Sequence, residues 1–383
     1  MKIGIDCRNI LNVPNGEKAG VGHYTYYLVK NLLKIDKKNK YILFFDHRVI
    51  NTNEFKQKNS EIIRFPYSQY KKYLPFGYSH WFVTKMLNKM NLDVFHAPAN
   101  IMPLTYKKPT VITVHDLAIY YHPEWFPPKQ KFSTKISVPQ SIKMAKKIIA
   151  VSKSTQKSIE NYFHVSPKKI KIIYEGFAKE KKASRSFIAK TKKKYKITDK
   201  FILCLGTLEP RKNMPMLIQA FDDLVNSNFK KYNNFQLILA GSKGWKYAPI
   251  FKAIKEAKYS RVRYLGYISQ AEKIALLSEA AVFAFPTLWE GFGLPVLEAM
   301  SLGTPVLASN VSSLPEIVEK AGILINPKNA NSIKNGLAKI LKSKTSWKKY
   351  SHKAKIQAKK FSWKKCAQQT LKSYLEVYKD SIF

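Results

Sequence analysis

The chain has 383 residues, 45% of them hydrophobic, and carries 67 Lys and Arg against 25 Asp and Glu, a formal net charge of +42. The length exceeds one ordinary domain and suits two. The apolar share is that of a soluble globular protein, no apolar run reaches the roughly 18–20 residues that span a bilayer, and three distant cysteines (Cys7, Cys204, Cys366) exclude a disulfide framework and a zinc spacing and point to a reducing cytoplasm.

Residues 2–6 read as a short first strand interrupted by charge, not as a signal peptide. A polar loop with Gly16 follows, then Ala19-Gly20-Val21-Gly22-His23-Tyr24 and a helix over 24–33 with Leu28, Leu32 and Leu33 on its apolar face. Strand, glycine loop and helix open a doubly wound α/β domain, in which ligands sit at the carboxyl ends of strands; a plain turn gives the same pattern. Strands are expected over 41–45 and 62–65. Between 67 and 82 lie Tyr67, Tyr70, Tyr73, Phe76, Tyr78, Trp81 and Phe82, interleaved with Lys71 and Lys72. Three readings stay open there: single-stranded nucleic acid stacking, a face for lipid headgroups, or ordinary packing. Two buried strands over 93–96 and 110–114 lead to His115-Asp116-Leu117. A histidine ending a central parallel strand is well placed for ligand contact, although a lone histidine is often structural. Trp125, Phe126 and Pro127-Pro128 mark a loop, followed by a helix over 135–145, a strand over 147–151, a helix over 152–163 opened by Ser/Thr caps, a strand over 170–173 and a turn at Glu175-Gly176. A Lys-rich stretch over 178–200 reads as the boundary between an amino-terminal domain, 1–177, and a second one over 201–361.

The strand pattern restarts at 201–205 and runs into Gly206-Thr-Leu-Glu-Pro-Arg-Lys-Asn213 and a helix over 214–225. Arg211 and Lys212 together at a strand-to-helix turn suit a diphosphate; two exposed basic residues in a lysine-rich chain are the plain alternative. Strands over 236–240 and 263–265 end in Gly241-Ser-Lys-Gly244 and Gly266-Tyr267, and a helix over 270–279 precedes a buried strand over 280–285. After it comes Phe285-Pro-Thr-Leu-Trp-Glu-Gly-Phe-Gly-Leu-Pro-Val-Leu-Glu298. Gly291 and Gly293 permit positive φ and leave amides unshielded, and Pro295 fits a first helical turn. Bare amides at a helix N-terminus bind anions, phosphate above all, and Glu290 could accept from hydroxyls of whatever carries the phosphate. Strands over 305–308 and 322–325, a turn at Leu314-Pro315-Glu316 and helices over 330–341, 347–360 and 363–378 complete an α/β chain of two similar halves; the final stretch, 362–383, is expected to pack back on the first domain.

On these residues the chain resembles the family-4 retaining glycosyltransferases, which have the GT-B fold, over nearly its whole length. Glu290-Gly-Phe-Gly-Leu-Pro-Val-Leu-Glu298 is similar to the family's Glu-x7-Glu signature, and Gly206 to Asn213, Gly303-Thr-Pro305 and Leu314-Pro315-Glu316 agree in order and spacing. Gly-Thr-Leu-Glu-Pro-Arg-Lys-Asn looks like the bacterial mannosyltransferase branch acting on surface polysaccharides. The resemblance implies two Rossmann-like domains facing a central cleft. It implies that Glu290 contacts the transferred sugar, that the amides of Phe292, Gly293 and Leu294 meet sugar and phosphate, and that Glu298 holds the ribose. Lys212 with Arg211 would stabilise the leaving diphosphate, His115 would contact the donor sugar, Gly20 and Gly22 would lie near the phosphates and acceptor, and Tyr267 would meet the base. Two positions depart from the family pattern: Thr207, counted among the donor-binding residues, stands where many members have Arg, a loss for which Arg211 would compensate, and Glu175 stands where members commonly have Asn, a departure to which no catalytic meaning attaches.

The expected function is a retaining, cytoplasmic hexosyltransferase moving mannose from GDP-mannose to a lipid-linked glycan in O-antigen or capsule synthesis. No cofactor is expected beyond the nucleotide-sugar substrate, and no metal, since no Asp-x-Asp occurs and Arg211 and Lys212 can take that electrostatic role. A UDP-sugar donor is the alternative within the fold, and a nucleotide-sugar epimerase or phosphorylase another enzyme reading. The net charge of +42 suits an anionic membrane surface, nucleic acid or phosphate-bearing substrates, or simply reflects lysine-rich codon usage. No zinc-finger, basic-zipper or RNA-recognition signature accompanies it; a polyanion binder on an inactive scaffold is the alternative from another class, and predicts salt-sensitive binding without nucleotide-sugar turnover.

Overall fold

The computed structural model describes residues 1–11, 20–65, 77–178, 182–197, 200–259 and 261–382. Gly16, Ala19 and residues 67–76 of the aromatic stretch from Tyr67 to Phe82 lie outside these residues; near its end, Trp81 is exposed. The chain divides into two compact units: Met1–Leu117 with Pro128–Gly176 and Ser362–Phe383, and Ala118–Pro127 with Phe177–Phe361.

The first stretch of chain contains β1 (Lys2–Asp6), α1 (Gly20–Ile35), β2 (Lys40–Asp46), β3 (Ser60–Phe65), α2 (Val83–Lys89), β4 (Val94–Ala97), β5 (Thr110–Val114), α3 (Ala118–Tyr121), α4 (Pro128–Met144), β6 (Lys147–Ala150), α5 (Lys153–Phe163) and β7 (Ile170–Ile172). All strands of the first unit pair in parallel in the order β3-β2-β1-β4-β5-β6-β7. β2, β4 and β5 are buried almost end to end, as apolar strands covered on both faces are. Helix α1 starts at Gly20, four residues before the position the sequence suggests, so Gly20 and Gly22 form its first turn and not a preceding loop. Leu28, Leu32 and Leu33 are buried as the spacing predicts. Helix α4 starts earlier than expected because Pro128 occupies its first position, where a missing N–H is harmless. Ser152 caps α5 by accepting from the Thr155 amide.

The second stretch contains α6 (Arg185–Lys194), β8 (Lys200–Leu205), α7 (Met214–Ser227), α8 (Phe229–Tyr232), β9 (Phe235–Ala240), α9 (Ala248–Glu256), β10 (Val262–Tyr264), α10 (Gln270–Glu279), β11 (Val282–Phe285), α11 (Leu294–Leu302), β12 (Val306–Ser309), α12 (Leu314–Val318), β13 (Ile323–Ile325), α13 (Ala330–Leu341), α14 (Lys344–Ala358) and α15 (Trp363–Ile382). Its sheet is again parallel, in the order β10-β9-β8-β11-β12-β13. Each sheet therefore reverses its winding once, between β1 and β4 and between β8 and β11. Ligands of doubly wound sheets bind outside the carboxyl ends of strands at such a reversal. Helix α15 packs on α1, with Trp363 stacked on Tyr27 at 5.5 Å. The segment Ala118–Pro127 docks on the second unit: Tyr121 stacks on Trp289 at 5.1 Å, and the Trp245 indole donates to the Trp125 carbonyl. Among the described residues no helix is long and apolar enough to cross a membrane.

Candidate active site

In the second unit the pairing of β8 with β11 (Ile202 opposite Val282, Leu203 opposite Phe283) brings the loops after these strands together. The loop after β8 is shaped by close backbone approach. A Cβ on Gly241 would lie 2.0 Å from the Gly206 carbonyl oxygen, which only glycine tolerates. Pro210–Lys212 form one 3-10 turn, and Asn213 ends it in the left-handed conformation with φ 54°. The Asn213 side-chain amide donates to the carbonyls of Pro286 and Pro327, tying together the loops after β8, β11 and β13. The Arg211 carbonyl accepts from the Leu288 amide and the Thr287 hydroxyl. These bonds fix the approach of Lys212 to Glu290.

Lys212 donates to Glu290 at 2.7 Å, with side chains only 10% and 15% exposed. The ammonium also lies 4.8 Å from the centre of the Phe285 ring. Arg211 places Nε and Nη2 on Glu209 at 3.1 and 2.9 Å, and Nη1 at 3.9 Å from Glu290. Burial opposes the charged form of Glu290, but Lys212 and then Arg211 outweigh it and hold the carboxyl below the usual carboxylate range. The Glu290 amide donates to Ser312, and the Ser313 hydroxyl donates to the carbonyls of Glu290 and Phe292.

The turn into α11 is closed by Gly293 at φ 108°. A Cβ there would also come within 2.8 Å of Leu314. The Gly293 and Leu294 amides stand at the N-terminus of α11, where backbone donors have no intrahelical acceptor. Phe292 is buried and meets Phe361 edge-on, so only its backbone is available to a ligand. Glu298 sits on the next turn and is held by Lys273 of α10 at 2.7 and 2.8 Å. Thr207 is exposed, and Tyr267, 52% exposed, follows Gly266 at φ 75°. Glu290, Lys212, Arg211, Gly293 and Leu294 thus converge at the β8/β11 reversal.

In the first unit, His115 follows β5. Its amide donates to Asn100 Oδ1 at 2.9 Å, Nε2 lies 2.9 Å from the Pro98 carbonyl oxygen and Nδ1 lies 3.3 Å from Glu175 Oε1. Gly20 and Gly22 are on α1; Gly22 is buried, and a Cβ on Gly20 would meet no described atom within 4 Å. Glu209, Lys273 and Glu175 carry no sequence signal as partners of site residues. Lys273 has no local signal at all. Glu175 stood out only as a departure from the family pattern. Among the described residues no group of three or more His, Cys, Asp or Glu side chains is arranged to hold a metal ion.

The two halves match two family models: glycosyltransferase family 4 over residues 19–181 and glycosyl transferases group 1 over residues 187–361. The chain is 32% identical over 291 residues to O-antigen chain mannosyltransferase B of Escherichia coli, covering 73% of this chain and 74% of that protein. It is 29% identical over 244 residues to the serotype-specific mannosyltransferase WbdA of Escherichia coli, covering 61% of this chain but 29% of WbdA, so it spans under a third of that relative. A solved sucrose-phosphate synthase from Thermosynechococcus elongatus superimposes with a TM-score of 0.76 over 99% of both chains at 18% identity, which shows a shared GT-B fold. The chain belongs to the family 4, group 1 glycosyltransferases and is a glycosyltransferase enzyme. Its class implies a nucleotide-sugar donor and a glycan acceptor.

Proposed function

We propose that this glycosyltransferase moves mannose from GDP-mannose onto a lipid-linked glycan during bacterial surface-polysaccharide synthesis, at the cytoplasmic face of the membrane. The observation that carries the reading is the Lys212–Glu290 pair at 2.7 Å below the N-terminus of α11, with Glu298 one helical turn along. Support for mannose comes from relatives named as mannosyltransferases, one of them an O-antigen chain mannosyltransferase. Lys212, Arg211 and the Gly293 and Leu294 amides supply positive potential for the diphosphate as it takes up charge. Glu290 accepts from hydroxyls of the transferred sugar, and Glu298 exchanges Lys273 for the ribose hydroxyls. Tyr267 and Thr207 border the nucleotide. Gly20 and Gly22 on α1 and His115 after β5 serve the acceptor and sugar side.

In this reading the acceptor oxygen attacks the anomeric carbon from the face that the diphosphate leaves. The acceptor's proton passes to a departing diphosphate oxygen, so configuration is retained and the side chains need supply no nucleophile. The protein's own cations do the charge neutralisation, and the proposed reaction runs without a divalent ion. The test is transfer from GDP-mannose to a lipid-linked O-antigen acceptor in the presence of chelator, with the product's anomeric configuration read by NMR. Mannosylated product with the donor's configuration is expected. Inversion would overturn the mechanism, and transfer only from UDP-sugars would overturn the donor.

A further inference from the structure

The side chain of His115 is committed to the protein at both ring nitrogens. Nε2 faces the Pro98 carbonyl oxygen at 2.9 Å, and a carbonyl can only accept, so Nε2 carries a proton. Nδ1 lies at ion-pair distance, 3.3 Å, from a Glu175 carboxylate oxygen, which can only accept. Both side chains are largely buried, 14% and 4% exposed. The ring is pinned from the other sides as well: Tyr24 of α1 meets it edge-on at 4.9 Å, and the Thr155 hydroxyl of α5 donates to the His115 carbonyl.

We propose that Glu175 is a positioning residue that holds His115 as an imidazolium, a fixed cation at the carboxyl end of β5 and not a proton acceptor. Among the described residues, Asp116 adjoins His115 and favours its charge, Tyr24 faces both partners, Cys366 of α15 faces Glu175, and His96 of β4 is a neighbouring cation candidate. His96 is fully buried between the Tyr374 hydroxyl at 2.6 Å and the Thr113 hydroxyl at 2.8 Å. Burial, reinforced by His115, pushes His96 down to about 3, so it stays neutral. For His115 burial also acts against the charge, but the Glu175 hydrogen bond and charge, the Pro98 carbonyl and Asp116 reverse it and leave the imidazole above its ordinary value. Of the two neighbouring histidines, His96 lies among hydroxyl partners, while His115 has an oxygen acceptor at each ring nitrogen.

The protonation claim stands on this geometry; its consequence for transfer rests on the role proposed above for His115. Selective ¹³C/¹⁵N-histidine NMR of the full chain tests both. The His115 resonance is assigned by its loss in His115→Asn, with His96 as the neutral internal reference. In the wild type, both His115 ring nitrogens are expected to be protonated at pH 6.5. In Glu175→Gln the titration midpoint should fall by about one to three pH units, and the alkaline limb of the kcat profile should move down by the same interval. A singly protonated His115 in the wild type at pH 6.5 overturns the proposal without any variant. So does a Glu175→Gln titration that matches the wild type. A midpoint that falls while the kcat profile stays in place overturns the catalytic consequence. If no donor supports transfer at all, the function proposed above fails, while the NMR result still decides the protonation state.

Discussion

Lys212 holds a position between two claims on its charge. It is paired with Glu290 and lies over Phe285. In the proposed reaction a diphosphate, with more negative charge than one carboxylate, competes for the same ammonium. Lys212→Met, which keeps the length but not the charge, should lower kcat by about 10²–10³-fold, the cost of losing a donor aimed at developing charge. A steady-state assay reading a change in donor KM alone would instead assign Lys212 to ground-state binding. The same pair sets an acid limit. The Glu290 carboxyl is depressed in the folded protein, so its contribution to stability is present above the ordinary carboxylate range and disappears as pH falls through the depressed value. In Lys212→Met that contribution should be lost, and the acid-unfolding midpoint should move to higher pH in a circular-dichroism titration. Arg211 and Lys212 were legible in the sequence because they are adjacent and end a strand-to-helix turn. Glu209, Lys273 and Glu175 were not recognisable as partners. Glu175 lies sixty residues from His115 in the chain, and only the parallel order β5-β6-β7 brings them together.

At the scale of elements, the loop between β11 and α11 depends on its second glycine. Gly293 combines φ 108° with a contact that a Cβ would make 2.8 Å from Leu314. Gly293→Ala should cost about 1–3 kcal/mol of stability and weaken nucleotide-sugar binding, because the α11 amides would shift. Urea unfolding and calorimetric titration check the two effects separately. An alanine variant with wild-type stability and affinity would show that the loop accommodates a side chain. The strand-loop-helix order here was readable from apolar runs, glycines and Pro295. Helix starts were read less well. Gly20 and Gly22 are poor helix formers, yet they begin α1 because the long apolar face of that helix packs against α15. Helix α9 was not legible because it begins four residues after Gly244 and is short, Ala248–Glu256.

At the scale of the whole molecule, the net charge of +42 is the feature that the site itself does not account for. Association with an anionic leaflet predicts co-sedimentation with phosphatidylglycerol vesicles at about 0.15 M salt and release as screening increases. Absence of retention at that salt would remove the membrane-surface claim and leave the lysines as solvated surface. Two α/β halves and the family were legible from the order of buried strands and from Glu290 to Glu298. The exchange of Ala118–Pro127 into the second unit was not, because it rests on tertiary stacking of Tyr121 on Trp289 and on the Trp245 hydrogen bond. The central claim, a nucleotide-sugar site built from Lys212, Glu290, the α11 amides and Glu298, meets its most direct test in thermal unfolding with GDP, UDP and ADP and their sugars. The wild type should be stabilised by GDP-mannose, by about 2.7 kcal/mol at roughly a hundredfold excess over the dissociation constant, and Glu298→Ala should lose most of that gain. Stabilisation by UDP species alone would contradict the mannose donor, and a wild type that no nucleotide or nucleotide sugar stabilises would contradict the site.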